Sequence, residues 1–170
     1  MSKESARKEI EKLIDVFEEH YNSYHATSYD EAKTRLDFIN KFFKAFGWDV
    51  DNEAGAYEAY REVVVEDRFK AAGRSNAPDY MFRLSGGKKL FFVEAKKPTV
   101  KLKTDSVAAY QLRGYGRSAQ LPVSILTNFE EFAVYDCTRR PSETDSSSIG
   151  RLEYLTYKEY LNKFDFLYDT

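Results

Sequence analysis

The chain has 170 residues, 42% of them hydrophobic and 32% charged, which is enough to bury one sizeable core in a single domain, residues 1–170. Its net charge of −2 argues against general binding of polyanions, and its single cysteine, Cys137, excludes an internal disulfide. The charged start lacks the apolar stretch of a secretory signal, and no apolar run is long enough to span a membrane, so we expect a cytoplasmic protein.

Two helices are predicted at the start of the chain. In residues 1–28, apolar side chains recur at the helical spacing, at Ile10, Leu13, Ile14, Phe17, Tyr21 and Tyr24. A second helix is predicted from about Asp30 to Phe46, and Gly47 is typical of a residue that ends a helix. The β-branched run in REVVVEDRF then predicts a strand, followed by the loop KAAGRSNAP.

The middle of the chain predicts a hairpin and a third helix. The runs DYMFRL and KKLFFVEAKK, joined by Ser85-Gly86-Gly87, are typical of two antiparallel strands. The stretch DSVAAYQLRGYGRSA indicates a helix, although Gly114 and Gly116 each weaken it by about 1 kcal/mol relative to alanine.

The last third predicts two more strands, LPVSILT and EEFAVYDC, across a turn at Asn128. A polar loop and a closing helix, placed within residues 151–170, follow. This order of elements predicts an α/β fold in which helices flank a central mixed β-sheet.

Charged residues stand at the end of a strand that otherwise resembles core. In LFFVEAKKP, Glu94 and Lys96 are two residues apart and point to the same side of the strand. If the hairpin forms, Asp79 at the start of the partner strand lies near them. Two carboxylates this close repel each other unless a cation lies between them, and Mg²⁺ suits such oxygen ligands. An ordinary ion pair between Glu94 and Lys96 is the alternative.

Positive charge is concentrated around the same strand. Residues 86–117 carry +6, so the rest of the chain carries −8. This asymmetry predicts a contact with an anionic partner, and four residues are candidates to bind phosphates: Lys97, Lys101, Arg113 and Arg117. For each of them, an ordinary solvated surface charge is the alternative.

The sequence resembles the PD-(D/E)xK nuclease superfamily over residues 30–137. The match to its central motif is APDYMFRL…KKLFFVEAKKP, the opening helix is EAKTRLDFINKFFKAFGWDV, and QLRGYG is similar to a Q-x-x-x-Y element. The resemblance is greatest to the N-terminal nuclease domains of type I restriction motor subunits and type IIG restriction–modification enzymes. It implies a restriction-endonuclease-like fold.

The resemblance also implies roles for individual residues. Asp79 and Glu94 would bind the metal with the carbonyl of Ala95, and Lys96 would be the catalytic lysine. Glu31 would be the acid of the first helix that completes the site.

Three of the implied site residues also fit a purely structural role. Ser28-x-x-Glu31 matches a capping box, in which Glu31 would bind a free backbone N–H at the helix start. Gln111 and Tyr115 would position the substrate, but residues four apart on a helix are also plain surface neighbours.

The implied function is Mg²⁺-dependent hydrolysis of DNA, with Mn²⁺ as a substitute ion and double-stranded DNA as the substrate. Methyltransferase, specificity or motor domains are the implied partners, and two copies of the chain would pair transiently on DNA. A non-catalytic nucleic-acid-binding module of the same fold, or a repair or recombination nuclease, is the alternative.

Overall fold

The computed structural model describes residues 2–65, 78–84 and 87–169. Residues 85 and 86 of the predicted glycine turn, and most of the predicted loop KAAGRSNAP, lie outside the described residues, as does the end of the strand predicted in REVVVEDRF. No helix in the described ranges is both long enough and apolar enough to cross a membrane.

The first half of the chain is helical, as predicted. Helix α1 is Lys3–Glu19, capped by the Ser2 side chain, and α2 is the short turn Tyr21–Tyr24. The second predicted helix consists of α3, Glu31–Thr34, a π-helical turn, Arg35–Ile39, and α4, Asn40–Ala45. Gly47 follows α4 with φ +97°, a conformation that glycine adopts without strain.

Six strands form one mixed sheet in the sequential order β1 to β6. The parallel pair is β3 with β4, and the other neighbours are antiparallel. The strands are β1, Val63–Val65; β2, Tyr80–Arg83; β3, Lys89–Ala95; β4, Val123–Thr127; β5, Glu131–Asp136; and β6, Arg151–Thr156. Helix α5, Ser106–Ser118, connects the two parallel strands.

Apolar side chains cover both faces of this sheet. On one face an aromatic-rich cluster joins α1 and α4 to the strands, with Phe17 and Phe38 almost fully buried. On the other face, α5 packs through Leu112 against Phe92 and Leu126. The predicted central mixed sheet with helices on its faces is confirmed, and the arrangement is consistent with a restriction-endonuclease-like fold.

The C-terminal region differs from the predicted helix over residues 151–170. Residues 151–156 form β6, a 3₁₀ turn covers Tyr157–Glu159, and a helix, α6, occupies only Phe164–Asp169. The physical reason is that β5 would otherwise expose its outer N–H and C=O groups, and pairing with β6 satisfies them.

Gly116 explains why α5 can lie so close to the sheet. A Cβ atom at this position would stand 2.4 Å from the sulfur of Cys137, whereas one at Gly114 would meet nothing within 4 Å. The glycine that weakens the helix in isolation therefore permits its packing against the end of β5.

Candidate active site

Asp79 and Glu94 meet where β2 begins and β3 ends. Tyr80 pairs with Val93, so the next step of the same antiparallel register sets Asp79 opposite Glu94. Met81 and Phe92 both face α5, and each acid is two residues from one of them, so both carboxylates point to the α5 side of the sheet.

The carboxylate of Asp79 is held in a fixed orientation. Its Oδ2 accepts a hydrogen bond of 2.7 Å from the backbone N–H of Ala95, and its Oδ1 lies 3.5 Å from Nη1 of Arg35. Asp79 is 4% exposed, and a carboxylate so buried requires such partners.

Glu31 and Glu94 complete a crowded group of three acids around Asp79. Burial raises the pKa of Glu94 to about 9, and hydrogen bonding to Asp79 and the Asp79 charge add to the effect. Burial, followed by the Asp79 charge, raises the pKa of Glu31 to about 7. Each acid is thus placed where a proton or another positive charge relieves the repulsion.

Glu31 reaches this group because it does not cap its own helix. The N-cap of α3 is Asp30, whose side chain accepts a hydrogen bond of 2.9 Å from the backbone N–H of Lys33. The capping-box interpretation with Ser28 and Glu31 is therefore wrong, and the Glu31 carboxylate interacts with Asp79 instead.

Lys96 supplies positive charge at the same end of the sheet. Its backbone N–H donates a hydrogen bond of 3.0 Å to the carbonyl of Thr127, which fixes the chain just beyond β3. Its ammonium group lowers the pKa values of both Glu31 and Glu94, although burial outweighs this effect.

The oxygen donors at this site fit a hard divalent cation. The predicted ligands are two carboxylates, Asp79 and Glu94, and the carbonyl of Ala95, and Mg²⁺ and Mn²⁺ prefer such oxygen atoms. Among the described residues, no three His, Cys, Asp or Glu side chains form a ready-made set of ligands. The fit therefore depends on the two carboxylates and the Ala95 carbonyl, and on the repulsion between the acids, which a cation would relieve.

A comparison with protein families identifies the group to which this chain belongs. The model of the family described as "MmeI, N-terminal domain" matches residues 7–169 of the chain. The chain belongs to the MmeI N-terminal domain family. The resemblance to type IIG restriction–modification enzymes that the motifs predicted is thereby confirmed.

A curated relative supports the same assignment. The chain is 41% identical over 159 residues to the Escherichia coli protein named "Type II restriction enzyme and methyltransferase RM.Eco57I". The match includes 92% of this chain but only 16% of the relative, so this chain spans a small part of that protein. No solved structure matches the chain.

In this member of the family, the other predicted site residues lie on α5. Gln111 is exposed, and Tyr115 is half-buried against the apolar cluster between α5 and the sheet. Helix α5 covers the face toward which Glu94 points, and a role for these two residues in positioning the substrate stays a prediction.

Two of the four predicted phosphate contacts, Lys97 and Lys101, follow β3, and the other two, Arg113 and Arg117, lie on α5. Lys97 is half-buried and Lys101 is exposed, both just after β3. Arg117 is exposed, and its guanidinium donates to the carbonyl of Thr138 at 2.6 Å. Arg113 is 4% exposed and its Nη1 lies 2.8 Å from Oδ2 of Asp145, so its charge already has a partner inside the protein. That Arg113 binds DNA stays a prediction, and this burial counts against it.

The motifs assigned no role to Arg35, which the structure places beside Asp79. Arg35 begins the π-helical turn, and such turns occur frequently at functional sites. Its charge lowers the pKa of Glu31, four residues earlier in the chain. The sequence signal for Arg35 was its E-x-x-x-R spacing from Glu31, because residues four apart on a helix are neighbours.

Proposed function

We propose that this chain is the DNA-cleaving domain of a restriction–modification enzyme and hydrolyses phosphodiester bonds with Mg²⁺, for which Mn²⁺ can substitute. One observation carries the proposal: Asp79, Glu94, Glu31 and Lys96 converge at one end of the sheet in a chain of the MmeI N-terminal domain family. The name of the E. coli relative, a restriction enzyme and methyltransferase, supports it.

The proposed metal ligands are Asp79, Glu94 and the carbonyl of Ala95. Because Oδ2 of Asp79 accepts the N–H of Ala95, Oδ1 is the oxygen that would be available to an ion. A bound divalent cation polarises the phosphate and lowers the pKa of a water molecule. Burial and the neighbouring Asp79 raise the pKa of Glu94 to about 9, so a bound cation and a bound proton would be alternative ways to offset the repulsion between the two acids.

The neighbouring side chains have complementary roles in the reaction. The ammonium group of Lys96 orients the attacking water and stabilises the negative charge that grows on the phosphate oxygens. The oxygen of this water bonds to phosphorus while the P–O bond to the leaving nucleotide breaks. Glu31, with a pKa of about 7, can accept a proton from water near neutral pH.

The partners of the domain are also part of the proposal. Double-stranded DNA is the proposed substrate, and a methyltransferase is the proposed companion, because the relative combines both activities in its name. Two copies that pair on DNA would allow both strands to be cut.

Cleavage of supercoiled plasmid in Mg²⁺ or Mn²⁺ tests the proposed function. The wild-type chain is expected to nick or linearise the plasmid, and Lys96→Ala is expected to abolish cutting. Lys88→Ala is the matched control, because Lys88 is an exposed lysine directly before β3, at the opposite end of that strand from Lys96. Equal cutting by all three proteins would show that the activity does not come from this site.

A further inference from the structure

A buried polar network holds residues 97–105, the segment between β3 and α5. None of the proposed catalytic residues belongs to this network. We call this segment the basic arm, because it carries Lys97, Lys101 and Lys103. It begins directly after Lys96 and contains a 3₁₀ turn, Leu102–Thr104. Its only acidic residue, Asp105, caps α5 by accepting a hydrogen bond of 2.9 Å from the backbone N–H of Ala108.

Glu131 is the centre of the network. This carboxylate is 7% exposed and accepts from the backbone N–H groups of Leu102, at 2.7 Å, and Lys103, at 3.1 Å. The hydroxyl of Tyr154 donates to it at 2.6 Å, and the amide of Asn128 donates at 3.2 Å. Four donors around one buried carboxylate make a strong and directional anchor.

Other groups hold the same stretch of backbone. The Asn128 amide donates to the carbonyl of Val100 at 2.8 Å. The carbonyl of Lys103 accepts from the Ser147 hydroxyl at 2.6 Å and from the Arg151 guanidinium at 3.0 Å. The arm is thus fixed to β5, to β6 and to the loop between them.

This anchoring presents positive charge in a fixed place. The ring of Tyr154 lies 5.3 Å from Nζ of Lys103 and 5.1 Å from the guanidinium carbon of Arg151. Lys101 and Lys103 are exposed. Lys97, Lys101, Lys103 and Arg151 therefore form a basic strip that runs from the end of β3 toward β6.

The strip has the right reach for the backbone of a duplex. Three strand-to-strand steps separate β3 from β6, which is about 14 Å. With one phosphate per about 3.4 Å of helix axis on each strand, that distance corresponds to about four base pairs. A duplex with its scissile bond near Glu94 can contact the strip a few phosphates away.

We propose that the basic strip binds DNA phosphates beside the cleaved bond, and that Glu131 is a positioning residue that holds the arm in the binding conformation. This inference rests on the proposed function, since it takes DNA as the substrate. It assigns to Lys103 and Arg151 a contact that the sequence motifs did not indicate.

The salt dependence of DNA binding tests the strip. Affinity for a short fluorescent duplex is measured at several salt concentrations in Ca²⁺, a non-activating stand-in for Mg²⁺. Each lost phosphate contact lowers the slope of log affinity against log salt by about 0.9, so K101Q/K103Q is expected to lower it by about 1.8. K8Q/K12Q is the matched control, because these exposed lysines lie on α1, across the sheet, and the slope should not change.

Glu131→Gln tests the positioning role. Glutamine keeps the size of the side chain but loses the charge that strengthens the hydrogen bonds to the arm. The slope is expected to fall although every lysine of the strip is present, with the circular dichroism spectrum unchanged. A variant that loses thermal stability but keeps the wild-type slope would show that Glu131 is merely structural.

The outcomes separate this proposal from the proposed function. A K101Q/K103Q slope equal to that of the control, or no binding by the wild-type chain at low salt, would overturn the strip. If the slopes change as expected but no plasmid is cut, DNA binding by the strip stands and the cleavage proposal fails.

Discussion

The backbone N–H of Ala95 donates a hydrogen bond of 2.7 Å to Oδ2 of Asp79, across the end of the β2–β3 pair. This contact joins two of the three proposed metal ligands through the backbone of the protein itself. It fixes the Asp79 carboxylate, whose other oxygen, Oδ1, lies 3.5 Å from Nη1 of Arg35. The sheet itself therefore preorganises the candidate site.

Asp79→Asn is expected to remove cation binding while the fold is retained. Asparagine can still accept the Ala95 N–H, but it no longer supplies a charged ligand, so affinity for Mn²⁺ should fall by more than about 100-fold. Isothermal titration with Mn²⁺ measures the loss. An unchanged affinity would show that the ion binds elsewhere.

The stability of the metal-free protein is expected to decrease as pH rises from about 5 to 9. The pKa values of Glu31, about 7, and Glu94, about 9, lie above the ordinary value of 4.5. A raised pKa contributes stability below the unfolded value, and that stability is lost as pH rises through the folded value. Each proton released can cost up to about 1.4 kcal/mol per pH unit, and less for Glu31, which is only partly buried.

Chemical denaturation across this pH range, with and without Mn²⁺, measures the effect. Saturating Mn²⁺ should flatten the decline, because the cation replaces the proton between the acids. Glu94→Gln should also make the metal-free curve flatter. A wild-type curve that rises over the same range would contradict the raised pKa values.

Arg35→Gln is expected to shift the pH dependence of cation binding upward. The guanidinium charge lowers the pKa of Glu31, so its removal lets that pKa rise and protons compete with the cation at higher pH. Arg140→Gln, at an exposed position, is the control. Identical Mn²⁺ binding profiles for the two variants would remove Arg35 from the site.

Gly116→Ala and Gly114→Ala are expected to have opposite effects on stability. At residue 116 the added methyl group would meet the sulfur of Cys137 at 2.4 Å, and overpacking of this kind costs about 1–3 kcal/mol. At residue 114 it meets nothing within 4 Å, so the better helix propensity of alanine should stabilise by up to about 1 kcal/mol. Thermal unfolding measures whether each variant is less stable or more stable than the wild-type chain.

The sequence was sufficient to predict the central strands, because their apolar runs are long and end clearly. The apolar stretch before Glu94 predicted β3, and Gly47 predicted the end of α4. Strand β6 was missed because Arg151–Thr156 is a short edge strand, whose pairing with β5 depends on residues far away in the chain.

Only part of the site could be predicted from the sequence, and each success or failure has a physical reason. Periodicity placed Asp79 near Glu94, since side-chain direction in a strand follows from residue spacing. It indicated Ser28 rather than Asp30 as the cap of α3, an error that arises because both residue types cap helices well. It also could not show that Arg113 is buried, because its partner Asp145 lies 32 residues later.

Anomalous scattering from a crystal soaked in Mn²⁺ is the most direct test of the proposal that Asp79 and Glu94 share a divalent cation. We predict one strong peak within about 2.0–2.3 Å of Oδ1 of Asp79, a carboxylate oxygen of Glu94 and the carbonyl of Ala95, and no such peak in Asp79→Asn. A peak away from these atoms, or none at saturating Mn²⁺, would contradict it.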